Sequence, residues 1–263
     1  MTDLIDIGLN LTHESFVHDR DAVLARAAAV GVTRMLVTGS DVPHSQAALH
    51  LANQYSQQIR ATAGVHPHHA KDFNAEQLPA LRELAMDAHV LAVGECGLDY
   101  FRNFSTHQQQ EQTFRLQLEL AVSIGKPVFL HERDAHETFC AILQDHLPEL
   151  KGGVAHCFTG TTEQAQRYVA MGLHVGITGW ICDERRGATL REAVQHIPVD
   201  KLLIETDAPY LIPRNLQPKP KSHRNEPMYL PTVLQQLATC RGEPIEMLAT
   251  ATTENARRLF NWP

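Results

Sequence analysis

The sequence predicts an α/β fold of the (β/α)8 TIM-barrel class. Eight short runs rich in β-branched residues recur along the chain, and segments with the three- and four-residue apolar spacing of helices separate them. Strand and helix therefore alternate, which favours a parallel sheet. The chain has 263 residues, and eight strand–helix units of this size fit a closed barrel, typically of about 250 residues, better than an open doubly wound sheet.

The eight predicted strands lie at residues 4–11, 34–39, 59–64, 90–95, 127–131, 153–157, 173–178 and 201–206. The clearest helical patterns between them cover residues 21–30, 78–88, 111–125 and 163–172. Several of these patterns end in glycine, as at Gly31, Gly125 and Gly172, which is typical of a helix C-terminus. Barrels of this kind commonly form one domain at this length, so we expect a single domain over residues 1–263.

The composition is typical of a globular protein, with 43% hydrophobic and 20% charged residues. No apolar run approaches the roughly 20 residues that span a bilayer. The N-terminal stretch MTDLIDIGLN carries acids where a signal peptide carries Lys or Arg. Five scattered cysteines form no C-x-x-C pair, which indicates reduced thiols. We therefore expect a cytoplasmic protein without a membrane segment.

The net charge of −7 argues against a surface covered with nucleic-acid-binding charge, although an enzyme needs only a local basic patch. The segment PRNLQPKPKSHRNEP, residues 213–227, follows the eighth strand and is too rich in proline for a helix. We interpret it as a basic active-site loop with the cations Arg214, Lys219, Lys221 and Arg224. No G-x-G-x-x-G, Walker loop or G-x-S-x-G elbow is present, so dinucleotide, P-loop and serine-hydrolase interpretations lose their main support.

Polar residues end several of the predicted strands, where catalytic residues of a (β/α)8 barrel lie. A lone strand histidine is more often a structural residue, but several partly desolvated polar groups around one barrel mouth would be costly if unpaired. A bound cation resolves this conflict, and histidine with carboxylate ligands is typical of catalytic Zn, Mn or Mg sites. The residues in this pattern are His66, His68, Glu95, Asp99, His131, His156, Glu205 and Asp207.

Glu205 and Asp207 alternate with Ile204 and Thr206, so an extended backbone would place both carboxylates on one face. One would then bind metal while the other orients water. Arg133 beyond strand five has two open interpretations, contact with a phosphate or a place in the cap of the next helix. The stretches HESFVH and HERDAH put the second histidine five residues after the first, which misses the helical face that a zincin H-E-x-x-H motif requires.

The motifs GVHPHH, GECGLDYFRNFS, LHERDAH, HCFTG and IETDAPYL, taken in order, resemble the signature of the TatD family of metal-dependent deoxyribonucleases. The resemblance spans almost the whole chain, including the basic loop. DIGLNLT and GITGWICDERRG are similar to the family's type member more than to its paralogues. The resemblance implies a metal-dependent hydrolase barrel.

The resemblance also implies the site residues. Glu95, His131 and His156 would be metal ligands, Asp207 a further ligand or general base, and His66 a catalytic histidine near the scissile phosphate. Glu205 is expected in a supporting position around the metal.

The family's D-x-H-x-H on strand one is replaced by Asp6, Gly8 and Asn10. Because glycine offers no ligand and asparagine only a neutral oxygen, we expect one firm site and one weak site near strand one. The expected ion is Mg or Mn, with Zn as an alternative.

These residues predict phosphodiester hydrolysis. Aromatic rings just beyond strand ends could stack on unpaired bases or belong to the core, and Trp180 is the preferred stacking candidate. The other rings in such positions are Phe101, Phe158 and Tyr210. A narrow mouth and the resemblance both favour a 3′–5′ exonuclease acting on single-stranded DNA, with RNA as a second substrate, in DNA repair or nucleic-acid turnover.

Two alternatives stay open from sequence. The first is a metal-dependent hydrolase of a small ester or amide, or of aminoacyl-tRNA, since the same barrel and ligands serve all these reactions. The second is a non-catalytic barrel that binds nucleic acid. The sequence indicates no obligate protein partner, so we expect a monomer.

Overall fold

The computed structural model describes residues 3–262. Eight strands lie in this part of the chain: β1 Leu4–Leu9, β2 Val32–Val37, β3 Ile59–Ala63, β4 Val90–Asp99, β5 Val128–Arg133, β6 Gly153–Ala155, β7 His174–Ile177 and β8 Leu202–Ile204. The α-helices are α1 Arg20–Ala29, α2 Val42–Gln54, α3 Leu78–Met86, α4 His107–Ile124, α5 His136–Gln144, α6 Thr162–Ala170, α7 Ala188–Ala193, α8 Leu230–Arg241 and α9 Ile245–Phe260.

The strands form one sheet in the order β1-β2-β3-β4-β5-β6-β7-β8, with a helix after each strand. Sequential parallel strands with helical crossovers define the (β/α)8 class, so the predicted fold class and all eight strands are confirmed. The bounds differ at two places that matter for the site. β4 continues to Asp99, four residues beyond the predicted end, and β8 stops at Ile204.

The chain divides into two compact units. One comprises the chain up to Leu36 together with Cys157–Arg258, and the other comprises Val37–His156 with Leu259–Trp262. The expectation of one domain over residues 1–263 stays a prediction.

The second unit is organised around β4, all of whose residues are buried. In the same unit, Phe114 on α4 and Phe139 on α5 are fully buried and stack with ring centroids 5.3 Å apart. Burial of such a side chain stabilises the fold by roughly 1.5–3 kcal/mol. A capping box of Thr106 and Gln109 starts α4, and Gly125 ends it in the left-handed conformation. These contacts fix the helix that follows β4.

No α-helix within residues 3–262 combines the length and apolarity that crossing a bilayer requires.

Candidate metal centre

Three imidazole rings surround one carboxylate oxygen in the second unit. Oε1 of Glu95 on β4 lies 3.0 Å from Nδ1 of His131 on β5, 3.2 Å from Nε2 of His156 after β6 and 3.3 Å from Nε2 of His66 after β3. Glu95 and His156 are buried. Because the carboxyl ends of parallel neighbouring strands lie at one edge, residues far apart in sequence meet here.

Two glycines let β4 approach β5 closely on either side of Glu95. A Cβ at Gly94 would overlap the carbonyl oxygen of Phe129, and a Cβ at Gly97 would overlap that of His131. Both glycines have positive φ values, +146° and +143°, which side-chain-bearing residues rarely adopt. The GECG stretch therefore allows the close strand approach that places Glu95 beside His131.

The electrostatics of the cluster favour an ionised Glu95. Burial alone would raise the pKa of its carboxyl, but the neighbouring histidines, His66 first, hold that pKa well below its ordinary value. Burial lowers the pKa of His66 to about 4, which keeps this ring neutral at neutral pH. The pKa of His131 is raised to about 9, since hydrogen bonding to Asp99 and to Glu95 outweighs its burial.

A second buried carboxylate, Asp99 at the end of β4, lies next to this cluster. Its Oδ2 is 2.8 Å from Nε2 of His68 and 3.5 Å from Nε2 of His131. Its Oδ1 accepts hydrogen bonds from the backbone amides of Phe101 and Arg102. Burial opposes ionisation, yet the hydrogen bonds of His131 and His68 and the amides hold the pKa of Asp99 below its ordinary value.

The donor set of the second unit fits a divalent metal. Ligand atoms of His66, Glu95 and His131 all lie within 4.8 Å of one another, and imidazole nitrogen with carboxylate oxygen is a common ligand set for Zn, Mn and Fe ions. Among residues 3–262, the buried Nε2 of His131 has only the long 3.5 Å contact with Oδ2 of Asp99. The structure brings Glu95, His131 and His156 together as expected, and it places His66, which the sequence included in the strand-end pattern and the resemblance assigned a catalytic role, equally close to Glu95.

The predicted geometry of Glu205 and Asp207 in the first unit is wrong. β8 ends at Ile204, and Asp207 has a left-handed φ of 55°, so the backbone is not extended across both residues. The amide of Asp207 donates to the carbonyl of Gly8 at 2.8 Å, which fixes this turn against β1. Glu205 is fully buried and accepts a 2.5 Å hydrogen bond from the amide of Cys157.

Asp6, predicted near the weak metal site, is a buried acceptor. Its oxygens accept hydrogen bonds from the amide and hydroxyl of Thr206 and from the amide of Gly8. Burial raises its pKa to about 7, although these hydrogen bonds oppose the rise. Asn10 donates from Nδ2 to Oδ1 of Asp207 at 3.0 Å. Asp6 thus anchors the turn after β8, while Asn10 contacts a predicted site residue directly.

The cations of the predicted basic loop differ in their surroundings. Arg224 donates to both oxygens of Asp19 on the chain before α1 and to Glu226, so carboxylates balance its charge. Arg214 lies 3.0 Å from the buried Asp183. Lys219 and Lys221 are exposed. The substrate-binding roles of these four residues stay predictions. The contacts of Arg224 with Asp19 and Glu226 also give this residue a structural role, since they hold the loop against the chain before α1.

The candidate stacking rings separate into buried and accessible ones. Phe158 is 5% exposed and packs against Tyr168, so it belongs to the core. Phe101 and Tyr210 are more than half exposed. Trp180 is half-buried, with the guanidinium of Arg186 4.3 Å above its ring. Arg133, also half-buried, lies 4.5 Å from the ring centroid of Phe101.

A buried cluster of histidines and acids at the ends of parallel strands in a (β/α)8 fold defines a metal-dependent hydrolase with a divalent cation. The profile of the family described as TatD related DNase matches residues 5–261. The chain belongs to this family, and it is a nuclease-type hydrolase.

Relatives and solved structures agree with this assignment. The 3′-5′ ssDNA/RNA exonuclease TatD of Pantoea ananatis (strain LMG 20103) is 54% identical over 98% of this chain and 99% of its own length. The protein of the same name from Shigella flexneri serotype 5b is 53% identical, covering 98% of each chain. The crystal structure of YJJV, a TatD homolog from Escherichia coli K12, is 32% identical with a TM-score of 0.90, covering 99% of this chain and 98% of that one.

Proposed function

We propose that this chain is a divalent-metal-dependent 3′–5′ exonuclease that hydrolyses the phosphodiester bonds of single-stranded DNA, and also of RNA. The observation that carries the proposal is the convergence of His66, His131 and His156 on the single carboxylate oxygen of Glu95. The names of the relatives from Pantoea and Shigella, 3′-5′ ssDNA/RNA exonuclease TatD, support the substrate class and the direction of cleavage.

Glu95, His131 and His156 are proposed to hold the firm metal ion. Asp207 is assigned as a further ligand or general base from its place after β8 and from the family motif IETDAPYL. His66 is close enough to Glu95 to join the ligands. When bound, a divalent ion polarises a phosphoryl oxygen and lowers the pKa of water toward neutrality.

The second ion is proposed to bind weakly, close to Asp6, Asn10 and Glu205. Asp6 is committed to Thr206 and Gly8, and Glu205 accepts from the Cys157 amide, so neither offers a fully unengaged carboxylate. Mg or Mn is the proposed ion, with Zn as the alternative, because carboxylate and amide oxygens favour the harder cations.

The chain's own groups supply the remaining chemistry. As water attacks phosphorus and the bond to the 3′-oxygen breaks, Asp207 accepts the proton of the attacking water. Nδ1 of His66 accepts a hydrogen bond from the amide of His68, and burial lowers the pKa of the ring to about 4, so the neutral ring carries its proton on Nε2. In this role His66 is not a metal ligand, and its Nε2–H would donate to an oxygen of the scissile phosphate. A donor directed at a developing negative charge in a partly dehydrated site stabilises the transition state.

Substrate contacts are proposed on each unit separately. In the first unit, Trp180, Arg186 and Arg214 line a cleft of about 160 Å³ around Asp183, in which an aromatic face and cations would contact a base and its phosphate. Lys219, Lys221 and Arg224 are assigned to the flanking backbone, and Arg133 in the second unit to a phosphate. A monomeric state, a cytoplasmic location and a role in DNA repair stay predictions.

The test uses chelator-stripped protein, a 5′-labelled single-stranded oligonucleotide, and Mg, Mn or Zn added back separately. We expect a ladder that shortens from the 3′ end only with an added ion. Asp207→Asn should lower the rate by about 10²- to 10⁴-fold, the usual contribution of a general base. Asp200→Asn, at an exposed position in the same unit, is the matched control and should cleave normally. Equal rates for the two variants would remove Asp207 from the mechanism.

A further inference from the structure

The segment 100–105, between β4 and α4, exposes two phenylalanine rings beside the metal centre. Phe101 is 53% and Phe104 is 55% exposed. By contrast, Phe16, Phe114, Phe129, Phe139 and Phe260 are among the largest fully buried side chains. A phenyl ring in water is unfavourable, so two exposed rings in one six-residue segment call for a physical reason.

The segment is held rigidly. The side-chain amide of Gln110 on α4 donates to the carbonyls of Asp99 and Ser105, at the two ends of the segment. The Gln110 oxygen accepts from the amide of Asp99 at 2.8 Å. Asp99 in turn accepts from the amides of Phe101 and Arg102. The exposed rings are therefore displayed on a fixed backbone, and ordering them on binding costs little entropy.

Side chains of the segment reinforce this rigidity. Tyr100 stacks on His107 with ring centroids 3.5 Å apart, and its hydroxyl lies 2.9 Å from Glu111. Asn103, with a positive φ of 52°, donates from its side chain to the carbonyl of Tyr100. The buried hydroxyl of Ser105 donates to the carbonyl of His68. The last contact ties the segment to the loop that carries His66.

Phe104 lies at the edge of the metal centre. Its ring contacts the ring of His68 edge-on, with centroids 4.7 Å apart. His68 binds Asp99 at 2.8 Å and lies 4.2 Å, centroid to centroid, from His66, which contacts Glu95. Two side chains, His68 and His66, thus lie between Phe104 and the carboxylate of Glu95.

Cations accompany the exposed rings. The guanidinium of Arg133 lies 4.5 Å from the ring centroid of Phe101, and that of Arg102 lies 5.7 Å from it. Both arginines match the negative charge of a nucleic-acid backbone, while the ring faces match a base. Two rings with cations around them form a small mixed surface, unlike the wide apolar patch of a protein interface.

We propose that the segment 100–105 is a nucleobase platform: Phe104 stacks on one unpaired base of the substrate, and Arg133 and Arg102 contact the adjoining phosphates. This inference rests on the proposed nuclease function and names the chemical contact that would favour single strands. In a duplex the internal bases are stacked on both faces and the terminal base is held by its pairing, so an unpaired base is the one that can turn its face to Phe104 without breaking a base pair.

The test is a cycle of protein and substrate variants, with binding measured by fluorescence anisotropy in chelator so that no cleavage occurs. The oligonucleotides carry one abasic site at successive positions from the 3′ end. For the wild type, we expect one position at which loss of the base weakens binding by roughly 5- to 150-fold. Phe104→Leu, which keeps an apolar side chain without a π face, should abolish this difference. Phe104→Trp should retain it.

Met86→Ala, at an exposed apolar position on α3 in the same unit, is the control and should discriminate as the wild type does. Metal-dependent shortening of the intact oligonucleotide by the wild type is measured in parallel. Two results would overturn the platform while the nuclease function stands. In the first, the wild type shortens DNA but binds every abasic oligonucleotide as tightly as the intact one. In the second, Phe104→Leu still binds one abasic oligonucleotide more weakly than the intact one. If the wild type neither binds nor shortens DNA with any ion, the nuclease function itself fails, and the platform with it.

Discussion

Asp99 is the residue through which the surroundings of the candidate metal centre would act on its histidines. Its side chain joins the backbone amides of the segment after β4 to His68 and approaches His131. A carboxylate behind a ligating imidazole fixes the orientation of the ring and raises its basicity. Asp99 is buried and its pKa is held below the ordinary value, so it provides this negative charge at neutral pH.

Asp99→Asn should therefore weaken divalent-metal binding by about 10- to 100-fold. The amide has nearly the same shape but lacks the negative charge that attracts the Nε2 edges of His68 and His131. Manganese titration followed by electron paramagnetic resonance measures the change directly, without substrate. Asp200→Asn serves as the control of equal chemistry at an exposed site. Wild-type manganese affinity in Asp99→Asn would show that Asp99 only supports the loop.

At this scale the sequence predicted which strand-end residues lie close together better than it predicted the turn after β8. Glu95, His131 and His156 could be predicted because each ends an apolar run, and parallel strands bring such ends together. The face of the chain on which Asp207 lies could not be predicted, because side chains alternate between two faces only where the backbone is extended. A hydrogen bond to Gly8, about 200 residues away in sequence, holds Asp207 in the left-handed region instead.

Among the elements, the basic loop is attached to the start of α1 by an ion network. Arg224 binds Asp19 and Glu226, and Arg26 on α1 binds the same two carboxylates. The guanidinium of Arg224 also lies 4.9 Å from the ring centroid of Phe16. A loop rich in proline could be predicted from sequence, but these partners could not, since the acid and base are some 200 positions apart.

This network predicts a pH dependence of stability. The hydrogen bond from Arg224 lowers the pKa of Asp19 to about 2 from an ordinary 3.8. A lowered folded-state pKa means that the stabilisation is present above about pH 4 and is lost as the pH falls through 2. Because Asp19 is about one-third exposed, screening limits the contribution to about 1 kcal/mol. Asp19→Asn should lose this amount at pH 7 and almost nothing at pH 2.

Urea unfolding at both pH values measures the difference between wild type and variant. Asp145→Asn, which removes a more exposed single pair with Arg115, should change the free energy of unfolding by less than about 0.5 kcal/mol at either pH. A deficit of Asp19→Asn that is equally large at pH 2 would mean that the effect comes from packing and not from the charge.

For the whole molecule, the order of strands and helices was predictable because each unit repeats the same apolar pattern, and the observed sheet follows that order. The net charge of −7 was less informative. Under the proposed function, substrate binding by this acidic protein would depend on local cations such as Arg133, which the pairing of β4 with β5 brings beside Phe101, and Arg102, which follows Phe101 in the chain. Contacts of this kind weaken as salt rises.

The metal should also stabilise the entire fold, because an ion that binds only the folded chain shifts unfolding by mass action. At one hundred times the dissociation constant the gain is about 2.7 kcal/mol, which for a chain of this size corresponds to a rise in Tm of roughly 5–10 °C. Scanning calorimetry of chelator-stripped protein with Mg, Mn or Zn measures it. Glu95→Gln should abolish the rise, because the three imidazoles then surround a neutral amide, whereas Glu149→Gln at an exposed position should not. An equal rise in both variants would place the stabilising ion away from Glu95.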